Sequence, residues 1–393
     1  GTATRCITTE FSANGGAYKV PTFVNEFWTS KQRAASRLHE ISYRACFKPQ
    51  LPRFFIERLT HLGEIVYDPF MGRGTTPVEA ALLGRIPYGC DINPLSSVLT
   101  QPRLHPPTAE QVAERLEQID LRDADDCPEE LLVFYHPETL REIAALKKYL
   151  LERRNTRALD AVDDWICLLA LNRLTGHSNG FFSVYTLPPN QAVSIKSQQK
   201  INANRKQTPP RRAVSHLILK KTRNLLSDCT PEIRKTLGSV ASNSLLVTKL
   251  SDSTPEIADN SVALVVTSPP FLDVVDYAGD NWLRCWFLGI DPKSVKLTVP
   301  KKLDNWQEEM TAVFRELHRV LKPGGHVAFE VGEVRGGKIK LEEAALPCGV
   351  AAGLQPELVL INDQIFTKTA NCWGVDNNFK GTNTNRIVLL RKV

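Results

Sequence analysis

A strand, a turn with two glycines, a helix and a second strand follow one another in residues 64–91, and this order restricts the chain to an α/β fold. Residues 64–68 and 86–91 have the composition and length of short strands. The helix lies between them, over residues 77–83. The same stretch therefore predicts one strand–helix–strand unit of a mostly parallel sheet.

The start of this helix carries strong local signals. Thr76 is the predicted N-cap, Pro77 takes the first helical position, and Glu79 completes a capping box. Gly72 and Gly74 precede the cap, and glycines let a backbone approach a ligand closely. Because a helix N-terminus attracts negative charge, the turn is a candidate site for a carboxylate or a phosphate.

An acid ends the second strand. Asp91 lies 23 residues after Asp68, near the spacing at which such an acid binds a ribose diol. The dinucleotide fingerprint G-x-G-x-x-G has a third glycine where this chain has Pro77. The unit therefore departs from the pattern of nicotinamide dinucleotide binding.

A second motif follows the apolar run 262–266, which predicts a buried strand. The next residues read Thr267-Ser268-Pro269-Pro270-Phe271, and two prolines cannot extend a central strand. Ligands bind at the carboxyl edge of open α/β sheets. A hydroxyl, proline carbonyls and an aromatic ring at this edge could bind a planar, amine-bearing base. The alternative is a strand that simply ends in a Pro-Pro loop.

The remaining patterns predict further elements. Residues 1–35 are polar with scattered aromatic residues and predict a partly ordered arm, and residues 108–175 have the apolar periodicity of packed helices. Four more strands and a helix are predicted at 245–247, 326–331, 358–366, 386–390 and 306–321. Lys322-Pro323-Gly324-Gly325 is the predicted stop of that helix.

One long segment is basic and free of acids. Residues 165–227 contain no Asp or Glu, and Arg, Lys, Asn and Gln alternate there with aromatic residues. This is the footprint of a surface that binds a phosphate backbone, with amides that could read bases. A solvated basic face is the alternative. The candidate nucleic-acid-binding residues are Lys196, Lys200, Arg205, Lys206, Arg211 and Arg212.

Composition narrows the class of protein. The formal net charge is +6, no apolar run reaches the length of a membrane span, and no signal-peptide pattern opens the sequence. The nine cysteines are scattered without a C-x-x-C pair, which argues against a zinc site and favours reduced thiols. We expect an intracellular protein.

Taken together, these motifs resemble those of S-adenosylmethionine-dependent DNA amino-methyltransferases, most closely the N4-cytosine branch of modification methylases. The family's D-P-F-x-G-x-G-T-T loop matches residues 68–76, and its S-P-P-Y/F catalytic turn matches residues 268–271. Residues 42–52 resemble the motif beside the methionine end of the cofactor. Many N4-cytosine enzymes place the catalytic turn before the cofactor loop, and this chain has the opposite order.

The resemblance implies a set of site residues. The catalytic residues would be Ser268, Pro269, Pro270 and Phe271. The residues that bind S-adenosylmethionine would be Tyr43, Phe47, Asp68, Pro69, Phe70, Gly72, Gly74, Thr75, Thr76, Asp91, Ile92, Asp252 and Thr267. Among these, Asp91 would hold the ribose, Asp252 the adenine, and Phe47 would take the aromatic position of the 42–52 motif.

The resemblance also implies an architecture. We expect a Rossmann-like methyltransferase fold, with a mostly parallel seven-stranded sheet and an antiparallel last strand. The catalytic domain would comprise residues 36–105 and 240–393. The helical and basic insert 106–239 would be the target-recognition region.

The implied reaction is methyl transfer from S-adenosylmethionine to the N4 amine of a cytosine flipped out of double-stranded DNA. The methyl donor carries its own activation, so the reaction needs no metal. The alternatives are an N6-adenine DNA methyltransferase, an RNA base methyltransferase, and a non-catalytic binding module that retains the fold. A cognate restriction endonuclease is a candidate partner, and the chain would act as a monomer or a homodimer. The resemblance also implies a location in the cytoplasm of a bacterium or in association with its nucleoid.

Overall fold

A computed structural model describes residues 3–29, 35–43, 46–187, 192–270, 277–295, 300, 302–334, 339–363 and 384–393. The helices are α1 (Gln50–Leu59), α2 (Thr75–Leu82), α3 (Pro94–Leu104), α4 (Ala109–Gln118), α5 (Pro137–Asn155), α6 (Ala161–Arg173), α7 (Ile195–Arg205), α8 (Val214–Leu225), α9 (Pro231–Ala241), α10 (Tyr277–Leu288), α11 (Leu303–Val320) and α12 (Leu341–Ala351). Short 3₁₀ helices span Arg37–His39, Glu129–Val133 and Pro292–Ser294.

The strands are β1 (Arg5–Ala13), β2 (Gly16–Asn25), β3 (Ile65–Asp68), β4 (Ile86–Asp91), β5 (Leu245–Thr248), β6 (Val262–Thr267), β7 (Leu321–Val331), β8 (Glu333–Val334), β9 (Ile339–Lys340), β10 (Gln355–Asp363) and β11 (Thr384–Arg391). Nine of them form one sheet in the order β1-β2-β10-β11-β7-β6-β3-β4-β5, and β8 pairs with β9 separately.

Seven of the nine strands form the predicted Rossmann-like sheet. Strands β3 to β7 are mutually parallel, and β11 runs antiparallel to both of its neighbours, β7 and β10. The chain order reverses between β3 and β6, which lie side by side although 193 residues separate their ends at Asp68 and Val262. The prediction of a mostly parallel seven-stranded sheet with an antiparallel last strand is confirmed.

The prediction of a partly ordered N-terminal arm is wrong for residues 5–25. They form the antiparallel hairpin β1–β2, and β2 adds to the sheet in parallel with β10. Phe11 stacks on Tyr18 across the hairpin with ring centroids 5.2 Å apart. Alternate residues are buried only in the later part of each strand, at Phe11 and Ala13 in β1 and at Val20, Thr22 and Val24 in β2. The rest of the hairpin is largely exposed and polar, so composition did not indicate two strands.

Burial on both faces of the sheet explains the apolar sequence of the central strand β6. All six residues of β6 are buried. Val265 packs with Phe314 of α11 on one face of the sheet, whereas Val266 packs with Phe55 of α1 on the other. Burial on both faces is what makes the sequence of β6 continuously apolar.

Helix α11 ends at Val320, close to the predicted stop, but the residues that follow differ from the prediction. Lys322-Pro323-Gly324-Gly325 lies within β7, which begins at Leu321 and has an irregular register against β6. The Pro-Gly-Gly sequence is tolerated because the strand's regular pairing with β6 resumes only at His326.

The helices between β4 and β5 pack onto the rest of the fold. One hydrophobic cluster joins Leu95 and Leu99 of α3 to Trp165 of α6, Ile218 of α8 and Phe287 of α10. The predicted insert therefore shares a core with the helices that follow the glycine turn. None of the described helices is long and apolar enough to cross a membrane.

Candidate active site

The glycine turn lies at the carboxyl end of β3, where the chain order reverses in the sheet. Gly72 and Gly74 have left-handed φ angles of +50° and +80°, which favour glycine strongly. A Cβ atom on Gly74 would overlap the side chain of Thr100 in α3. The backbone conformation and the close packing on α3 both require a glycine at position 74.

The predicted capping box of α2 is wrong. The helix starts at Thr75 with Gly74 as N-cap, and no side chain caps it. The hydroxyl of Thr76 donates to the carbonyl of Val266 in β6 at 3.1 Å. Glu79 Oε2 lies 2.7 Å from Nε2 of buried His39. Both predicted capping groups are thus used in tertiary contacts, which hold α2 to β6 and to the segment around His39.

Asp91 lies at the end of β4 and contacts the glycine turn. Its Oδ2 accepts from the Gly72 amide and its Oδ1 from the Asn93 amide, each at 2.9 Å. Burial raises the pKa of Asp91, and these two amide donors oppose that rise. Each carboxylate oxygen has a second lone pair, so a diol can still donate to both.

Asp68 is the most deeply buried acid of this edge, with 1% of its surface exposed. Its Oδ1 accepts from the Thr267 hydroxyl at 2.5 Å and from the Phe70 amide at 2.9 Å. Its Oδ2 is buried with no hydrogen-bond partner. Burial raises the pKa of Asp68 to about 7, against the opposing effect of the two donors. The free oxygen is an unused acceptor.

Ser268 follows β6 at the same edge, one residue after Thr267. Its hydroxyl lies near the carboxyl group of Glu330 on the neighbouring strand β7, where it acts to lower the pKa of that group. The Asn385 side-chain amide donates to Glu330 Oε1 at 2.7 Å. Burial raises the pKa of Glu330, and these two contacts lower it less.

Sequence reasoning missed Glu330. The available signal was an acid inside the otherwise apolar run 327–331, where a strand buried on both faces should carry none. The structure places it near the proposed catalytic hydroxyl.

The two prolines of the turn are held from the side of α11. The indole Nε1 of Trp306, which is fully buried, donates to the Pro270 carbonyl at 3.1 Å. Pro269, which lies between Ser268 and Pro270 in the sequence, is buried. Phe271, the predicted stacking residue, lies outside the described residues.

The segment 42–52 is split between two environments. Tyr43 is buried next to Gly72, and its hydroxyl accepts from the Asn93 side chain at 3.4 Å. Phe47 instead packs against a hydrophobic cluster with Leu51 and Phe55 of α1. The structure therefore brings Tyr43 to the glycine turn, whereas it places Phe47 against the α1 core.

The other predicted cofactor residues surround the same edge. Pro69, Phe70, Thr75 and Ile92 lie in the turns that follow β3 and β4 or at the start of α2. Asp252 is exposed and follows β5, the edge strand next to β4. Strand β5 pairs with β4, which ends at Asp91. The resemblance implies an acid that binds the adenine at this position.

Arg103 is a second residue that sequence reasoning missed. It is fully buried in α3, and its guanidinium donates to the carbonyls of Leu99, Leu38 and Arg73. Burial lowers the pKa of Arg103 to about 9. Because Arg73 lies between the two glycines, Arg103 ties the glycine turn to α3 and to the segment before Tyr43.

The predicted nucleic-acid-binding residues divide into two groups. Lys196, Lys200, Arg205 and Lys206 are exposed on or just after α7. Arg211 forms ion pairs with Glu138 and Glu142, and Arg212 donates to the Asn179 side chain at 2.9 Å. The structure thus leaves the α7 cations on the surface and ties Arg211 to acids.

Several amides of this segment support the fold. Gln198 is buried and donates to the Tyr185 carbonyl at 3.1 Å, and Gln207 donates to the same carbonyl at 2.9 Å. Asn202 donates to the Val133 carbonyl at 2.7 Å. These three amides are therefore not available to read bases, contrary to the prediction for the segment as a whole.

The edge fits S-adenosylmethionine by two criteria of the structure itself. Asp68 Oδ2 is a buried oxygen with no donor, and the Asp91 carboxylate retains acceptor capacity beside left-handed glycines. A ribose diol and a cationic ligand supply the donors and the charge that these carboxylates lack. No cluster of metal-binding side chains was found among the residues that the structure describes.

Comparisons with known proteins agree with this geometry. Residues 15–96 match a family model for N6 and N4 methyltransferases, described as DNA methylase. Type II methyltransferase M.BsoBI of Geobacillus stearothermophilus is 23% identical over 65% of this chain and 53% of its own length. Type II methyltransferase M.MjaII of Methanocaldococcus jannaschii is 36% identical over 19% of this chain and 14% of its own.

Among solved structures, TrmN from Thermus thermophilus is 12% identical over 89% of this chain and 50% of that one, with a TM-score of 0.34. The chain spans about half the length of M.BsoBI and a smaller part of M.MjaII. The family match and the relatives confirm the predicted resemblance to DNA amino-methyltransferases.

Proposed function

We propose that this chain, which carries the sequence motifs and the fold of a DNA amino-methyltransferase, transfers a methyl group from S-adenosylmethionine to an exocyclic amine of a base in DNA. One observation carries the proposal: the Ser268 hydroxyl lies near the buried carboxyl group of Glu330 at the sheet edge that also bears the glycine turn and Asp91. Because the relatives are longer than the matched region, activity, substrate and partners are all part of the proposal.

Acids at or just after the carboxyl ends of three strands bind the cofactor. Asp91 accepts hydrogen bonds from the ribose, and Asp252 from the adenine. Asp68, with its unused Oδ2, stabilises the positively charged end of the cofactor. S-adenosylmethionine, when bound, supplies a methyl group on a positively charged sulfur.

The catalytic turn makes a poor nucleophile reactive. The lone pair of an exocyclic amine is conjugated into the base, which lowers its nucleophilicity. The Pro269 carbonyl and Ser268 Oγ accept the two N–H groups of the amine and direct its lone pair out of the ring plane. The protein's contribution is therefore positioning and electrostatics.

Glu330 is the final acceptor of the proton that the amine loses. As the new N–C bond forms and the S–C bond breaks, the amine becomes positively charged and must lose a proton. Ser268 takes that proton and passes its own to Glu330, whose pKa is raised by burial and therefore favours proton uptake. Asn385 keeps the Glu330 carboxyl aligned with Ser268.

The base is proposed to be cytosine, modified at N4. Ser268 stands where the adenine enzymes of the family usually carry Asp or Asn. N6-adenine is the second candidate, because the matching family model covers both reactions. A base inside a duplex cannot reach the turn, so the target nucleotide is flipped out.

The remaining parts of the proposal concern recognition. Residues 106–239 carry the target-recognition region, with the exposed cations of α7 on the phosphate backbone of double-stranded DNA. A cognate restriction endonuclease is the functional partner that a type II modification enzyme would have.

The test is product analysis. The protein is incubated with S-adenosylmethionine and unmodified genomic DNA, and the digested nucleosides are analysed by mass spectrometry. We expect N4-methylcytosine, and we expect Ser268→Ala to abolish it while cofactor binding persists. N6-methyladenine alone would refute the cytosine assignment. Absence of any methylated DNA nucleoside, from a folded protein that binds S-adenosylmethionine, would refute DNA as the substrate.

A further inference from the structure

One exposed arginine of the basic insert is held in place by its neighbours. Arg205, the last residue of α7, is exposed. Its Cζ atom lies over the half-buried ring of Tyr185, 3.7 Å from the ring centroid, and its Nε donates to Gln207 Oε1 at 3.3 Å. A long basic side chain at a surface otherwise keeps much of its rotamer freedom. These two contacts therefore restrain a guanidinium that solvent can still reach.

The residues that hold Arg205 are themselves held by the fold. Gln207 donates through Nε2 to the Tyr185 carbonyl at 2.9 Å and to Asn202 Oδ1 at 2.8 Å. Asn202 in turn donates to the Val133 carbonyl at 2.7 Å. The amides of this segment that are not available to read bases therefore support Arg205.

Two donor groups of Arg205 remain unused. Among the residues that the structure describes, Arg205 has no ion pair, and neither Nη1 nor Nη2 has a hydrogen-bond partner. Arg211 differs, because Glu138 and Glu142 pair with it. The two Nη groups of Arg205 form a planar fork at the surface of a segment that contains no acid.

Arg58 of α1 is a useful comparison. It is also exposed, and its Cζ lies 3.8 Å from the centroid of the Phe54 ring. Its Nη1, however, donates to the carbonyl of the same Phe54 at 2.9 Å. A contact within one turn of α1 thus accounts for Arg58. Arg205 lies over a residue from a different segment and keeps both Nη groups.

The position of Arg205 on α7 favours a base over a phosphate as its ligand. Only Gln198 of α7 is buried, and the major groove of DNA admits an exposed α-helix. Lys196 and Lys200, one turn apart on this helix, are exposed cations that suit phosphates. Arg205 lies at the C-terminal end, where the helix carries partial negative charge. A neutral base edge is therefore a better acceptor there than an anion.

The support of Arg205 is connected to the catalytic turn. The amide of Val184, next to Tyr185, donates to the Phe134 carbonyl at 2.9 Å. The Phe134 ring packs on Trp282 with the centroids 6.0 Å apart. Trp282 belongs to α10, the helix that follows the catalytic turn in the chain. Two contacts thus link the loop under Arg205 to that helix.

We propose that Arg205 reads one guanine of the recognised DNA site from the major groove, with Nη1 and Nη2 donating to O6 and N7. The proposal rests on the proposed function, and it assigns to a base edge one of the cations of α7. Guanine presents these two acceptors side by side, and the planar guanidinium matches them. Because Arg205 is restrained before DNA binds, less rotamer freedom is lost when the contact forms.

The test measures base preference separately from affinity. With S-adenosylhomocysteine present, the protein selects duplexes from a library with a randomised region, and the bound duplexes are sequenced. Arg205→Lys keeps the charge and removes the fork. We expect it to lose roughly tenfold to a hundredfold of the preference for guanine at one position, the scale of a bidentate base contact. The slope of log K against log salt concentration should not change.

Three controls separate the fork from charge and from stacking. Lys200→Gln removes an exposed charge from the same helix, so the slope should fall by about 0.9 while the base preferences persist. Arg58→Lys makes the same chemical change outside the insert and should alter neither. Tyr185→Phe should keep the guanine preference and Tyr185→Leu should lower it, because only the first retains the ring. Thermal unfolding and affinity for S-adenosylhomocysteine show whether each variant is folded.

The outcomes separate the two levels of the proposal. A folded Arg205→Lys variant with native base preferences, or with an equal loss of affinity for every sequence, would overturn the guanine contact and leave the proposed function intact. A native protein that methylates DNA without any base preference would do the same. If the native protein binds S-adenosylhomocysteine but neither binds nor methylates DNA, both the guanine contact and the proposed function fail.

Discussion

The carboxyl group of Asp68 is the most informative single position to perturb, because it couples stability to pH. Asp68→Asn keeps an oxygen for Thr267 and for the Phe70 amide, which both contact Oδ1. It replaces only Oδ2, which has no partner. The substitution therefore removes the charge while it retains the two hydrogen bonds.

The size of the effect follows from the pKa. Burial raises the pKa of Asp68 from 3.8 to about 7, and a difference of that size corresponds to about 4 kcal/mol. The pKa of Asp68 is higher in the folded protein than in the unfolded chain. The free energy of unfolding of the native protein therefore falls by about 4 kcal/mol as pH rises from about 4 to about 7 and Asp68 ionises. Relative to the native protein, Asp68→Asn should gain up to about 4 kcal/mol between pH 4 and pH 8.

The assay is thermal unfolding without cofactor over that pH range. For 393 residues a change of 4 kcal/mol corresponds to about 5 °C in Tm. Asp126→Asn is the matched control, since it changes the same group at an exposed position and should leave the pH dependence unchanged.

Cofactor binding should respond in the opposite direction. Loss of the Asp68 charge should weaken binding of S-adenosylmethionine by about tenfold to a hundredfold at pH 8, as for a hydrogen bond to a charged group. A lower Tm for Asp68→Asn at pH 8, or a Tm difference that is the same at every pH, would refute the reasoning about the buried charge.

Three other perturbations test the site. Glu330→Gln should lower the single-turnover methylation rate by about 10²-fold or more. The rate of the native protein should fall as pH decreases and Glu330 is protonated. Equal pH profiles for the native protein and Glu330→Gln would contradict the proton transfer. Gly74→Ala should destabilise the protein by at least about 1–2 kcal/mol, the strain of a left-handed non-glycine residue. The control Gly238→Ala, at a position on α9 where a Cβ atom meets open space, should stabilise the protein slightly. Unfolding midpoints in urea give both values. Arg103→Met should cost about 3 kcal/mol or more, because three carbonyls lose their donor, and calorimetry showing a native-like Tm would exclude its role as a tie.

The glycine turn shows how far local sequence reasoning reaches. Gly72 and Gly74 are left-handed, as close-packed turn glycines should be, and the strand ends at Asp68 and Asp91 lie where the pattern placed them. These features depend on backbone sterics and on hydrophobic periodicity, which neighbouring residues determine. The capping box failed for the opposite reason: Thr76 and Glu79 found distant partners that a local motif cannot reveal.

The N-terminal hairpin shows a second limit. Residues 5–25 are too polar to indicate strands by composition, and their partner β10 lies more than 300 residues later. A strand with one solvated face is stabilised by the edge to which it adds, and that edge exists only in the folded protein.

The α/β class, the central strands, the two glycines and the order of the motifs are all predictable from local sequence, because each follows from local sterics or from the pattern of apolar residues. The positions of Glu330 near Ser268 and of Arg103 against the glycine turn become visible only in the folded chain. The folded structure also shows that Glu138 and Glu142 neutralise Arg211. Whether a buried charge has a partner depends on residues far apart in the chain, and the packing of the folded chain alone brings them together.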